Sequence, residues 1–142
     1  MSLAVVILAA GRGVRMRSLL PKVLHPLGGN SILGRILATV SALQQQQIIV
    51  VYGYKGEQLK QAFLDQPQLD WVDQGETLGT GHATLQALPL IKDAARVLIL
   101  YGDIPLIKYE TLERLLKSTP NDAVGLITAF VENPTGFGRI IR

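Results

Sequence analysis

The chain has 142 residues, 48% of them apolar and 18% charged, and carries a net charge of +3; that is one domain's worth of globular sequence with a real core, not a disordered chain. No apolar run reaches the ~18 residues of a membrane-spanning helix, and the first residues lack the charged start and cleavage site of a secretory leader. With no cysteine, disulfides and thiolate metal sites are excluded, and a cytoplasmic address is the compatible one.

From the N-terminus, Leu3 to Ala9 is an unbroken apolar run, the pattern of a strand covered on both faces. A loop rich in glycine and arginine follows. Asn30 or Ser31 stands where a helix cap is needed, and Ile32, Ile36, Val40 and Leu43 recur behind it at helical spacing. Ile48–Tyr52 (IIVVY) predicts a second buried strand, Glu57–Leu64 a short helix and Leu69–Val72 (LDWV) a brief strand. Thr80 to about Leu88 has helical character after a Gly-rich entry. Val97–Tyr101 (VLILY) predicts another buried strand, Tyr109–Lys117 a helix, and Ala123–Ala129 a further strand. The closing GRIIR, residues 138–142, reads as one more. Strand–helix alternation of this kind predicts an α/β fold of three layers around a mainly parallel sheet. No linker or repeat divides the chain, so residues 1–142 form a single domain.

Charge is distributed unevenly. Residues 1–56 hold six Lys or Arg and no acid, whereas residues 57–142 hold eight basic and eleven acidic residues. Four of the six cations, Arg12, Arg15, Arg17 and Lys22, sit in the loop after the first strand. Such a concentration suits a polyanion, nucleic acid or a nucleoside triphosphate, and equally describes a solvated face. No aromatic side chain interleaves with these arginines, which argues against single-stranded nucleic acid. Neither nucleic acid nor a membrane is the expected partner.

Ligands of such sheets bind beyond the carboxyl ends of the strands. Three loops meet that condition: AAGRGVRM after the first strand, QGETLGTGHA (Gln74–Ala83) and YGDIPL (Tyr101–Leu106). In the first, Gly11 and Gly13 begin a G-x-G-x-x-G whose third glycine is replaced by Met16, so the dinucleotide fingerprint fails; no Walker-type phosphate loop occurs either. What stays is backbone N–H at small residues, able to cradle phosphate oxygens, with Arg15 as a forked donor and Lys22 as a point charge. An ordinary turn with solvated arginines is the alternative. Asp103 also has two readings: an Asx turn or helix cap, and a hard oxygen ligand for Mg²⁺. His25 and His82 read as packing residues.

These segments, LAAGRGVRM with LPKVLHPLGG, LGTGHA, LYGDIPLI and PTGFGRI, closely resemble the bacterial N-acetylglucosamine-1-phosphate uridylyltransferases. In that family they belong to the N-terminal domain of a bifunctional enzyme that also acetylates glucosamine 1-phosphate. The resemblance spans nearly the whole chain in order. Two positions depart from it: Val14 replaces the usual Thr, and Thr77 stands where Gln is common, close to the expected base-binding loop.

The resemblance implies a Rossmann-like nucleotidyltransferase domain with a mainly parallel, mixed sheet whose C-terminal part continues past Arg142. That further part carries the family's amino-sugar ligands and second metal ligand. The trimer-forming β-helix domain lies beyond it, so neither acetyl transfer nor trimerisation is expected of these residues. Leu8, Ala9, Ala10 and Gly11, with Gly13, would lie along the nucleotide. Arg15 and Lys22 would meet its phosphates and carry catalysis. Gln74 would read the uracil edge with both a donor and an acceptor, and Gly79 and Thr80 would complete the base pocket. Tyr101, Gly102 and Asp103 would border ribose and phosphate, Asp103 holding Mg²⁺, and Gly138 would approach the sugar phosphate. The implied substrates are UTP and N-acetylglucosamine 1-phosphate, the product UDP-N-acetylglucosamine. Two alternatives stay open: another sugar-phosphate nucleotidyltransferase, and a nucleotide-binding domain without turnover.

Overall fold

The computed structural model describes residues 2–141. β1 (Leu3–Leu8) forms where the first apolar run predicts it, and its Val5, Val6 and Ile7 are fully buried. After the loop, β2 (Pro26–Leu27) and β3 (Asn30–Ser31) make a two-stranded antiparallel ribbon leading into α1 (Ile32–Ser41). Of the two candidate caps Ser31 is the one used: its hydroxyl accepts from Gly34 N–H at 3.0 Å. β4 (Gln47–Tyr52), α2 (Gly56–Gln61), β5 (Leu69–Asp73), α3 (Thr80–Ala87), β6 (Arg96–Tyr101) and α4 (Tyr109–Ser118) follow.

The main sheet has the order β5-β4-β1-β6. Every pairing in it is parallel, with Ala4 opposite Gln47, Leu3 opposite Arg96 and Ile48 opposite Leu69. The expected mixed character is therefore absent among the described residues. One face of the sheet packs against α1, α2 and α4 through Val5, Ile7, Val50, Leu33, Ile36, Leu59 and Leu112. The other packs Val6, Ile49 and Val51 on Ala83 and Ala87 of α3. Three layers result, as predicted, with the crossovers on both faces that parallel strands require.

Three expectations need correction. β6 is not buried on both faces: Leu98 and Leu100 are, but Val97, Ile99 and Tyr101 remain 41%, 46% and 49% exposed. On that side α3 packs mainly on β1, β4 and β5, and the buried cluster of that face takes in no residue of β6. Residues 123–129 form no strand, despite the β-branched Val124, Ile127 and Thr128 among them. Arg96 in β6 ties the start of this segment down, its guanidinium donating to the carbonyls of Leu116 and Thr119 and to Asn121 Oδ1. A turn from Pro120 to Ala123 follows, and without a ladder on β6 strand propensity has nothing to act through. Residues 138–141 are likewise irregular, and Arg142 lies outside the described residues.

Candidate active site

The loops after β1, β5 and β6 converge at the carboxyl edge of the sheet around a cleft of about 920 Å³. β1 is central, and its neighbours β4 and β6 diverge from it in chain order, which is where α/β sheets open a crevice. Leu8, Ala9, Ala10, Gly11, Gly13, Arg15 and Lys22 line it from the first loop. Gln74, Gly79 and Thr80 line it from the second, and Tyr101 and Asp103 from the third. Val14, Met16, Val23, Thr77 and Ala83 complete the wall. Of these, Val23 and Ala83 carry no chemical group that would single them out in the sequence; adjacency to Lys22 and to Thr80 was the only available signal.

The first loop folds back on itself for local reasons. Gly13 adopts φ +61°, and a Cβ there would stand 2.6 Å from Lys22 Cβ, so only glycine lets the two ends of the loop meet. A single 3-10 turn over Val14–Met16 follows, closed by Met16 N–H to Gly13 O at 2.8 Å. Lys55 Nζ donates to Leu19 O and fastens the loop to the segment after β4. Arg15 is thereby left on the cleft wall, while Arg12 and Arg17 lie outside it. The four loop cations are not equivalent.

Lys22 Nζ donates to Asp103 Oδ2 at 2.6 Å, joining the first and third loops. Both side chains are partly exposed, 29% and 44%. The carboxylate makes neither an Asx turn nor a helix cap: α4 has Lys108 at its cap position, without a side-chain hydrogen bond. Of the two readings of Asp103, the structural one therefore has no contact behind it.

Gln74 is buried, 6% exposed, and its backbone N–H donates to Tyr52 O at 2.8 Å. Its Nε2 donates to Gly79 O at 3.0 Å and lies 3.4 Å from His82 Nδ1. The amide nitrogen is thus turned towards the protein, one hydrogen bonded to Gly79 O and His82 Nδ1 its second neighbour. Only Oε1 is left, with no hydrogen-bond partner among the described residues.

Gly102 stands behind the wall. Its N–H donates to Leu8 O at 2.8 Å, and a Cβ there would lie 2.8 Å from that oxygen and 3.1 Å from Ala9 Cα. It brings β1 and β6 close enough to share the cleft. Gly138 is not brought to the cleft; it lies in the irregular C-terminal segment with nothing within 4 Å of its Cβ direction. His25 and His82 are half-buried and outside the lining. The Nε2 of His25 is buried without a hydrogen-bond partner among the described residues.

Residues 5–139 match the MobA-like NTP transferase domain. The chain belongs to this family. As an NTP transferase domain it is 56% identical over 142 residues to the bifunctional protein GlmU of Stutzerimonas stutzeri (strain A1501), covering 100% of this chain and 31% of the relative. It thus spans about a third of the length of the curated relatives it matches. Among solved structures it resembles Rv0371c of Mycobacterium tuberculosis H37Rv, with a TM-score of 0.69 and 26% identity over 81% of this chain and 59% of that one. It also shares its fold with a nucleotidyl transferase from Methanothermobacter thermautotroptrophicus, with a TM-score of 0.71 and 23% identity over 83% of this chain and 58% of that one. The parallel α/β architecture is that of a Rossmann-like nucleotidyltransferase.

Proposed function

We propose that this domain transfers UMP from UTP to N-acetylglucosamine 1-phosphate, forming UDP-N-acetylglucosamine for peptidoglycan and lipopolysaccharide precursors in the cytoplasm. The observation that carries this reading is a single cleft holding two cations, Arg15 and Lys22, one carboxylate, Asp103, and one buried amide, Gln74. Its volume lies in the range of small-ligand sites. Among the described residues no helix is long and apolar enough to cross a membrane.

In the reaction an oxygen of the sugar phosphate bonds to the α-phosphorus of UTP while the bond from that phosphorus to the β-phosphate oxygen breaks, and pyrophosphate leaves. Both reactants are anions, so their repulsion is the main obstacle. Arg15 and Lys22 offset that charge and hold the phosphates in line. The attacking phosphate is already ionised at neutral pH and needs no general base, in keeping with a cleft wall that holds no histidine.

The residues present fit a divalent cation. Among the described residues no group of three His, Cys, Asp or Glu side chains gathers in one place, but Mg²⁺ commonly takes one or two carboxylates and fills its shell with substrate phosphates and water. Asp103, whose Oδ1 has no hydrogen-bond partner among the described residues, would hold it, and the ion's charge would offset that of the phosphates.

Pyrophosphate release from UTP and N-acetylglucosamine 1-phosphate, set beside CTP, GTP and TTP, tests the proposal. MgUTP titration by calorimetry accompanies it, because the residues proposed to meet the nucleotide line the cleft, Gly102 excepted, whereas Gly138, proposed for the sugar phosphate, does not. Preferential MgUTP binding is expected. Equal binding of all four triphosphates would sink the uridylyl reading, and no binding of any would sink nucleotidyl transfer at this cleft.

A further inference from the structure

Behind Gln74 stands a chain of side chains that the reaction itself does not use. Gln74 Nε2 faces two groups, the carbonyl oxygen of Gly79 at 3.0 Å and His82 Nδ1 at 3.4 Å. On the far side of the imidazole, His82 Nε2 lies 3.2 Å from Gln86 Nε2, one turn further along α3. His82 is half-buried and does not line the cleft.

Proton bookkeeping fixes the direction of this chain. A carbonyl oxygen can only accept, so Gly79 O holds the nitrogen end of the Gln74 amide, and not its oxygen, towards the protein. The second hydrogen of that nitrogen has His82 Nδ1 as its neighbour at 3.4 Å, and bonds to it in the tautomer that leaves Nδ1 a lone pair. A neutral imidazole has one lone pair and one N–H, so in that tautomer the proton sits on Nε2. The Gln86 amide accepts it through Oε1, which a half-turn of its terminal torsion brings to that position. The hydrogens of Gln74 and His82 then each have one acceptor, and Gln74 Oε1 is left without a donor.

We propose that His82 is a positioning residue that locks the Gln74 amide with Oε1 towards the nucleobase, so that the site selects a base with a hydrogen to donate at N3. Uracil has that hydrogen. Cytosine carries a lone pair at N3, which would face Oε1 with no proton between them, and a buried mismatch of this kind discriminates more strongly than a missing contact. The inference rests on the proposed placement of the base at Gln74. It adds that the choice between two pyrimidines is made by a histidine that touches neither.

The test is calorimetric titration of the whole chain with MgUTP and with MgCTP, read as the ratio of the two Kd values. Wild type is expected to prefer UTP. His82→Leu, which removes the acceptor facing Gln74, is expected to bring the ratio roughly tenfold nearer to one, the scale of one net hydrogen bond. His82→Asn, whose Oδ1 can stand in for Nδ1, is expected to restore it. A merely structural histidine would lower binding of both nucleotides together and leave the ratio alone. If Gln74→Ala abolishes the preference while His82→Leu keeps it, the base reading stands and the positioning role is overturned. If wild type shows no preference, or Gln74→Ala retains it, the base reading fails and the inference with it. Nitrogen chemical shifts of the His82 ring in wild type need no variant to fold: a proton on Nε2 is expected, and a proton on Nδ1 overturns the proposal.

Discussion

Lys22 Nζ and Asp103 Oδ2 lie 2.6 Å apart, so the cation proposed for phosphate and the carboxylate proposed for metal are each other's partner. The pair ties the loop after β1 to the loop after β6 and holds both groups at the cleft wall. As a stabilising contact between side chains 29% and 44% exposed, it contributes no more than about 1 kcal/mol. Its larger effect is placement.

Lys22→Ala is therefore expected to melt within a few degrees of wild type yet weaken MgUTP binding by ~1.5–3 kcal/mol, the scale of a charge-assisted hydrogen bond. That is a rise in Kd of roughly 10- to 150-fold. Arg15→Ala should behave similarly. Arg12→Ala and Arg17→Ala, outside the cleft wall, should cost far less. Equal losses at all four positions, fading together with added salt, would leave only a diffuse basic patch.

For Asp103→Asn the expected result concerns the metal. The amide keeps the shape and can still accept from Lys22, but it lacks the charge that pairs with a cation. UTP titrated with and without Mg²⁺ should show a metal-dependent gain in affinity in wild type that largely vanishes in the variant, at an unchanged melting temperature. A gain preserved in full would remove Asp103 from the metal site.

Two glycines separate architecture from binding. Gly102→Ala places a methyl against the backbone at Leu8 and Ala9 and should destabilise the fold by about 1–3 kcal/mol, visible in thermal or urea unfolding. Gly11→Ala meets nothing within 4 Å; it should unfold like wild type and lose affinity for MgUTP, because the added methyl occupies ligand space. The reverse pattern would mean that the backbone of the first loop is not where nucleotide lies.

On α4, Lys117 donates to Glu113 at 2.9 Å and Tyr109 at 3.1 Å, and these two hydrogen bonds hold the Glu113 carboxyl below its ordinary value near 4.5. A depressed carboxyl adds stability that is complete above the ordinary value and disappears as the pH falls through the lowered one. Wild type is thus expected to melt above Glu113→Gln at neutral pH, with the gap closing only below about pH 4.5. Melting curves of both proteins across that range check it. A gap that persists unchanged in strong acid would assign the effect to packing.

Much of this was legible in the residues because the signals were local. Unbroken apolar runs marked β1 and β4, and strand-end glycines marked the three loops that meet at the cleft. What failed depended on neighbours. Val97–Tyr101 has the composition of a doubly covered strand, but coverage is decided by where α3 lies. Residues 123–129 have strand-like composition, but composition cannot supply a pairing edge. Gln74 was rightly placed at the cleft, yet its free atoms depended on Gly79 and His82 folding around it, and no spacing rule announces the contact of Lys22 with Asp103.

The central position of β1 has a consequence for how the protein comes into being. β1 pairs on one side with β4 and on the other with β6, Leu3 lying opposite Arg96. Until β6 has left the ribosome, one edge of β1 stays unsatisfied, and the third wall of the cleft does not yet exist. Contacts this distant in sequence make folding slow and leave apolar edges open to wrong partners meanwhile. The binding site is therefore completed only with β6 and the loop behind it, and a chain released before Tyr101 would carry the phosphate loop without any pocket to put it in.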